Sequence, residues 1–151
     1  MTDILPDILI RPAEVGDFAQ VAALLTELGR PPVTPETAEA LRTVYERHVG
    51  RTDTASLVAE REGRLLGFMS LEIRDHLNYV LPQGWIPDLI VTASARGLGA
   101  ARLLLTRGFE LARERGCDRV RLESGYARTV AHQVYLALGM TNDGYYFTRS
   151  L

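Results

Sequence analysis

Apolar residues recur along this chain with two periods, and the switches between them outline its elements. Asp7 to Arg11 has the composition of a short strand. Asp17 can cap a helix whose apolar positions Phe18, Val21, Leu25 and Leu28 share one face, and Gly29 with the Pro31-Pro32 pair stops it. Thr34 and Pro35 make a second start signal, followed by Leu41, Val44, Tyr45 and His48 on one face up to Gly50. Ser56 to Glu60 and Leu65 to Ile73 are β-prone and flank a tight turn at Glu62-Gly63, which predicts a hairpin. Asp75 to Gly84 is polar, aromatic and broken by Pro82, the composition of a loop, and Trp85 to Val91 returns to a strand. Gly97 to Arg115 is a long amphipathic helix with Leu98, Ala101, Leu105, Phe109 and Ala112 along one stripe, closed by Gly116. Arg119 to Ser124 follows as a strand, Arg128 to Leu138 as a helix ended by Gly139, and Tyr145 to Arg149 as a final strand.

The order strand, long helix, strand in the second half implies a parallel pair joined by a right-handed crossover, whereas the first half is antiparallel. The expected fold class is α/β: a mixed, largely antiparallel twisted sheet with a central parallel pair and helices on both faces. At 151 residues, one domain spanning 1–151 is expected.

Composition narrows the partners. Seventeen basic residues, all of them Arg, oppose nineteen acidic ones for a net charge of −2, so no overall field draws nucleic acid or an anionic membrane. Cys117 is the one cysteine, which excludes an internal disulfide and fits a reducing, cytoplasmic setting. The opening MTDILPDILIRP is too short and too acidic for a secretory signal, and no apolar run approaches the about 18 residues that span a bilayer. The three His and one Cys are scattered, so no metal site is expected.

The stretch from Ile90 to Arg102 carries the chemistry: a strand enters a turn of small residues that opens a helix. The first backbone N–H groups of a helix lack internal acceptors, and the helix dipole adds partial positive charge there, which suits a pyrophosphate. Gly97 and Gly99 allow the backbone to approach the phosphates closely. A nucleotide-binding P-loop would need a Lys, and this chain has none; a dinucleotide fingerprint would need a third glycine. A glycine-rich connection that binds nothing is the remaining alternative.

Arg96-Gly97-Leu98-Gly99-Ala100-Ala101, at the usual spacing after Val91, resembles the Arg/Gln-x-x-Gly-x-Gly/Ala motif of the GNAT acetyltransferases. Ala131-His132-Gln133-Val134-Tyr135-Leu136-Ala137-Leu138-Gly139-Met140 resembles that family's Ala-x-x-x-Tyr-x-x-x-Gly-Phe segment, with Met140 in place of Phe. The resemblance covers Trp85 to Leu151 and implies a GNAT-like fold whose Val91 strand splays from the strand ending at Glu123. It further implies acetyl-CoA as cosubstrate, its pantetheine arm along Leu89, Ile90 and Val91 and its pyrophosphate held by Arg96, Gly97, Leu98, Gly99, Ala100, Ala101 and Arg102. Tyr135 would protonate the departing thiolate. Two departures stand out: Arg128 takes a position where many members carry Asn, and Pro87 interrupts the substrate-facing strand.

An amine must lose a proton before it attacks, which calls for a general base, direct or through water. Glu123 and Asp88 are the candidates; Glu123 is equally readable as a salt-bridge partner, and for Asp88 taken alone that reading is the stronger one. Glu72, His76, Tyr79 and Trp85 are candidate substrate contacts, an acidic and aromatic set that suits a small cationic amine. A peptide or protein amine, a non-catalytic acetyl-CoA-binding module and a homodimeric structural domain are the alternatives.

Overall fold

A computed structural model describes residues 7–151. Seven strands and four α-helices follow in the order β1 (Leu9–Pro12), α1 (Phe18–Leu28), α2 (Ala38–Gly50), β2 (Leu57–Arg61), β3 (Arg64–Met69), β4 (Glu72–Arg74), β5 (Gln83–Ile86), β6 (Leu89–Val91), α3 (Ala100–Glu114), β7 (Val120–Leu122) and α4 (Thr129–Ala137). They build two sheets, an antiparallel one in the order β1-β2-β3-β6 and a mixed one in the order β4-β5-β7, in which β5 and β7 are parallel.

Two strands expected to be continuous are each broken, and the breaks face each other. Leu65–Ile73 divides into β3 and β4 at Ser70-Leu71, and Trp85–Val91 divides into β5 and β6 at Pro87-Asp88. Pro87 has no N–H to give to a ladder. Across the breaks the Ser70 N–H donates to the Asp88 carbonyl (3.0 Å), the Ser70 hydroxyl donates to Asp88 Oδ2 (2.8 Å), and the Asp88 N–H donates to Ser70 Oγ (3.0 Å). One ribbon thereby passes from one sheet to the other, with β6 paired to β3 while β5 stays with β7.

The second helix starts later than Thr34 and Pro35 suggest. The N–H groups of Thr37 and Ala38 donate to the Thr34 carbonyl, closing a separate turn ahead of α2. The expected strand at Tyr145–Arg149 is absent, and residues 141–151 have no regular structure.

Helices cover the two faces differently. α3 and α4 pack with Leu57, Met69, Leu71, Ile86 and Leu89, and Leu104 and Leu105 are fully buried. Each such side chain removed from water is worth roughly 1.5–3 kcal/mol. α1 and α2 cover the opposite face of the first sheet through Val21, Leu24, Tyr45, Phe68 and Ile90. No helix among the described residues is long and apolar enough to cross a membrane.

His48 at the end of α2 is half-buried with its Nε2 2.6 Å from Ser56 Oγ. Burial holds its pKa below the ordinary 6.5, against the opposing pull of the Glu72 carboxylate. The unfolded chain therefore takes up this proton at higher pH than the folded one. The contribution to stability is complete above about 6.5 and declines as the pH falls below it. Asp17, held below its ordinary 3.8 by its hydrogen bonds from Arg11, adds a loss only at more acidic pH. Denaturant midpoints measured from neutral pH to about 5 should therefore fall, and His48→Gln should flatten that slope. A slope unchanged in the variant would remove His48 from this role.

Candidate active site

The strand break opens the site. Past the Ile86↔Leu122 pair, β5 gives way to Pro87 and the chain leaves β7, so β6 lies on the first sheet with one edge paired to β3 and the other unpaired. Opposite that edge stands α4. Between β6, the start of α3 and α4 lies a cleft of about 660 Å³, lined by Leu89, Val91, Arg96, Gly97, Arg128 and Tyr135 among others. Leu89 and Val91 turn toward α3 and α4, while the Ile90 side chain is buried toward α1 and α2, leaving only its backbone for the cleft.

At the α3 end of the cleft, Gly97 and Gly99 have φ of 83° and 86°, in the left-handed region. A Cβ at either would meet no protein atom within 4 Å, so within the protein itself it is the left-handed conformation that favours glycine. No side chain caps α3. Leu103 is the first helical residue whose N–H finds a carbonyl, that of Gly99 at 3.0 Å. The preceding N–H groups are thus aimed at the cleft with the positive end of a four-turn helix behind them, and Arg96 and Arg102 add guanidiniums. These residues fit a pyrophosphate. The unpaired edge of β6 fits an extended amide-bearing arm laid beside it.

α1 and the turn that follows it hold β6 at both ends. Arg30 donates from Nε to Asp88 Oδ1 (3.0 Å) and from Nη2 to the Pro87 carbonyl (3.0 Å). Glu27 accepts from the Thr92 hydroxyl (2.9 Å) and the Ala93 N–H (2.7 Å). The Arg30–Asp88 pair is half-exposed on the arginine side and contributes little stability by itself, about 0–1 kcal/mol. Its effect is on where β6 sits.

Tyr135, 7% exposed, faces the cleft from α4. Burial raises its phenol above the ordinary value of 10, so it stays protonated at neutral pH. Arg128 and the Ser124 hydroxyl act the other way, favouring the phenolate that donation would leave. His132 Nε2 lies 3.0 Å from Ser124 Oγ, which fixes that hydroxyl beside the tyrosine. Arg128 reaches across the cleft and donates to the Leu89 carbonyl at 3.3 Å.

The second sheet presents its other face away from α3. Ile73, Ile86, Val120 and Leu122 pack toward α3, so by strand alternation the partners Glu72, Trp85 and Arg121 share the opposite face with Arg74 and Gln83. Arg74 stacks on Trp85, 3.6 Å from the ring centroid, and pairs with Glu72 at 2.9 Å. His76 stacks on Tyr79 with centroids 4.6 Å apart and lies 3.3 Å from Gln83 Oε1. Arg119 lies 6.0 Å from the Tyr79 ring centroid. Among the described residues neither Arg119 nor Arg121 has a carboxylate within ion-pair distance.

The sequence matches the Acetyltransferase (GNAT) family over residues 21–140. The chain belongs to that family. It is 28% identical to the aminoalkylphosphonate N-acetyltransferase of Salmonella typhimurium over 149 residues, 99% of this chain and 95% of that protein. With glucosamine 6-phosphate N-acetyltransferase 1 of Oryza sativa subsp. japonica it shares 34% identity over 116 residues, 74% and 69% of the two chains. A solved structure of AAC(6')-Iy in complex with a bisubstrate analogue of CoA and acetylneamine superposes with a TM-score of 0.79 at 23% identity, covering 95% of this chain and 98% of that one. The enzyme is an acetyl-CoA-dependent N-acetyltransferase with the GNAT fold.

In this acetyltransferase the residues expected from sequence fall into two groups. Leu89 to Val91, Arg96 to Arg102 and Tyr135 come together around one cleft, apart from the Leu98 side chain, which is not among its lining. Glu72 and Trp85 lie on the face of the second sheet turned away from α3, His76 and Tyr79 on the loop at its end, and Glu123 is exposed just past β7, continuing the face of Arg121. Asp88 sits in the strand break, with one carboxylate oxygen accepting from Ser70 and the other from Arg30. The positioning roles of Ser70, Glu27 and Arg30 left no signal in the sequence, because each depends on a contact between 18 and 66 positions away.

Proposed function

We propose that the enzyme acetylates the primary amine of a small zwitterionic acceptor that also carries an anionic group, a phosphonate or phosphate monoester. One observation carries this reading: on the face around Trp85 that α3 does not cover, Arg119 and Arg121 lack carboxylate partners within ion-pair distance while Glu72 and Glu123 flank them. Guanidinium forks suit a tetrahedral oxyanion, and carboxylates suit the ammonium end. A purely cationic acceptor would meet uncompensated arginines. The two sequence relatives named above act, by their names, on amines that also carry phosphorus oxyanions.

When bound, acetyl-CoA supplies an activated acyl thioester. The start of α3, with Arg96 and Arg102, would hold its pyrophosphate, and the free edge of β6 its amide-bearing arm. Glu123, at the mouth of the gap beside β7, takes the ammonium proton directly or through water, which frees the amine lone pair to attack. Tyr135 donates its phenolic proton to the departing sulfur, and Arg128 and Ser124 steady the charge that remains on the ring oxygen.

A panel of amines assayed by thiol release tests the acceptor. Aminoalkylphosphonates and phosphorylated amino sugars should give the highest kcat/KM, above polyamines, aminoglycosides and peptide N-termini. Arg121→Gln should raise KM for the phosphorus-bearing amines about 10-fold or more, the weight of one charge-assisted hydrogen bond, with KM for acetyl-CoA unchanged. Polyamines turned over best and indifferent to that variant would sink the anionic acceptor, and acetyl-CoA binding without turnover of any amine would favour a regulatory module. Glu123→Gln and Asp88→Asn should each slow turnover; if both keep full rate, the base is water or Glu72.

A further inference from the structure

On the sheet face turned away from α3, one cross-strand row is polar where its neighbour is apolar. Val58, Phe68 and Ile90 lie side by side on β2, β3 and β6 and are buried against α1 and α2. One step of the pleat nearer the strand break, the same face carries Ser56, Ser70 and Asp88. The register runs through them. Leu57 pairs with Met69 and Met69 with Leu89, the Ala55 N–H donates to the Leu71 carbonyl (2.8 Å), and the Ser70 N–H donates to the Asp88 carbonyl (3.0 Å). Ser56 and Ser70 are 8% and 3% exposed. Polar groups at such depth cost free energy that the apolar row does not, so packing leaves the serines unexplained.

The row has an end group on each side. Arg30 donates to Asp88 Oδ1 (3.0 Å), and His48 in the last turn of α2 has its Nε2 2.6 Å from Ser56 Oγ. Between them the Ser70 hydroxyl donates to Asp88 Oδ2 (2.8 Å) and its oxygen accepts from the Asp88 N–H (3.0 Å). The open link is the one between the two serines. The Ser56 carbonyl accepts from Ala13 and the Ser70 N–H serves Asp88, so their backbones turn away from each other. That is the close cross-strand arrangement, with Cβ atoms about 4.5–5.5 Å apart, and rotation of the two side chains closes the link.

Acetyl transfer gives such a row a use. Between ammonium and amide the nitrogen loses two protons while the departing sulfur gains one, so one proton must leave the site. We propose that the row Asp88–Ser70–Ser56–His48 carries a proton from the acceptor nitrogen at the strand break to the imidazole at the end of α2. Asp88 takes it on Oδ2 and hands it to the second lone pair of Ser70 Oγ. The Ser70 hydroxyl proton passes to Ser56, and the Ser56 hydroxyl proton to His48 Nε2. Each serine ends with one hydrogen, the Asp88 carboxylate is restored, and the half-buried imidazolium releases its proton to water. A carboxylate paired with Arg30 is a poor resting place for a proton, and a neutral imidazole is a better one. The carboxylates of Glu72, Asp88 and Asp53 and the Arg51 guanidinium face His48, and burial outweighs their sum, keeping the imidazole neutral at pH 7. The inference rests on acetyl transfer to an amine, whichever amine that is, and on Asp88 rather than Glu123.

The pH dependence of kcat tests it, followed by thiol release with aminomethylphosphonate, or with spermidine or kanamycin should only these be turned over. His48 must be neutral to accept a proton, so the wild-type rate should fall on acidification with an inflection below 6.5. His48→Gln should lower kcat at neutral pH about 10-fold or more and remove that inflection, with KM for acetyl-CoA unchanged. His48→Ala should regain rate when imidazole is added to the buffer. Ser56→Ala leaves the imidazole in place and should be as slow as His48→Gln. A His48→Gln enzyme with wild-type kcat and an unchanged acid limb overturns the inference. So does a loss that is equal at every pH and indifferent to imidazole, the behaviour of a merely structural histidine, and so does Asp88→Asn at full rate. If spermidine or kanamycin is the substrate, the anionic acceptor fails while the row is still tested. A chain that binds acetyl-CoA and acetylates none of the three amines overturns it, since the row would have no proton to carry. Should the His48 variants not fold, Ser56→Ala decides: full rate there overturns the relay.

Discussion

Tyr135→Phe is expected to slow turnover by about 10²–10⁴-fold, the range associated with loss of a general acid, while acetyl-CoA binding is kept. The ring stays, so the packing of α4 against the core stays. Ser124 and Arg128 lie close enough to act on the hydroxyl, and its loss should change stability by about 1 kcal/mol or less. Rate and stability therefore separate on one variant. A core tyrosine predicts normal turnover, whereas a proton donor predicts a slow enzyme that melts normally. The pH profile adds a second readout. Because burial lifts the phenol above 10, wild-type activity should not fall through deprotonation of this group at moderately alkaline pH, and any fall there belongs to another residue. A Phe variant with wild-type turnover on a confirmed substrate would leave water or the leaving proton of the amine as the source.

Gly99→Glu should nearly abolish acetyl-CoA binding and leave the fold intact. Two effects add. The φ of 86° is one that a residue with a Cβ adopts only under strain, at a cost of roughly 1–2 kcal/mol. The carboxylate would also stand at the N-terminus of α3, competing for the N–H groups that await a phosphate and repelling it. Titration calorimetry should show affinity reduced 100-fold or more, about 2.7 kcal/mol or above. Gly99→Ala keeps only the strain and should fall in between, which separates backbone from charge. Equal affinity for Glu and Ala variants would remove the electrostatic part of the assignment; wild-type affinity for both would move the phosphates away from this turn.

The glycine turn before α3 and the inward tyrosine of α4 are legible in the sequence because each is local. The glycines of the turn, the stripe of α3 and the positions of Ala131, Tyr135 and Leu138 on α4 are set within one element each, where spacing along the chain equals spacing in space. At Gly97 and Gly99 the fold adds a second reason for glycine, a left-handed backbone that only φ reveals. Asp88, expected within the strand that faces the substrate cleft, lies instead in the strand break and outside the cleft's lining, its oxygens engaged by Ser70, 18 positions earlier, and Arg30, 58 positions earlier. The charge of the acceptor face also escaped a linear reading. Arg74, Trp85 and Arg121 become neighbours only once β4, β5 and β7 are in register.

What the sequence determined by itself is therefore the set of helices and most strands, the mixed α/β class, the glycine turn that opens α3 and the inward tyrosine. Each follows from periodicity, caps and backbone preference acting over a few residues. Only the tertiary structure decided that two strands would break opposite one another at Ser70 and Pro87-Asp88, that β6 would leave β7 and open the cleft, and that Tyr145–Arg149 would stay unpaired. A strand differs from a helix in this respect: its hydrogen bonds go to another segment, so its ends, its breaks and its very existence depend on a partner that local sequence does not name.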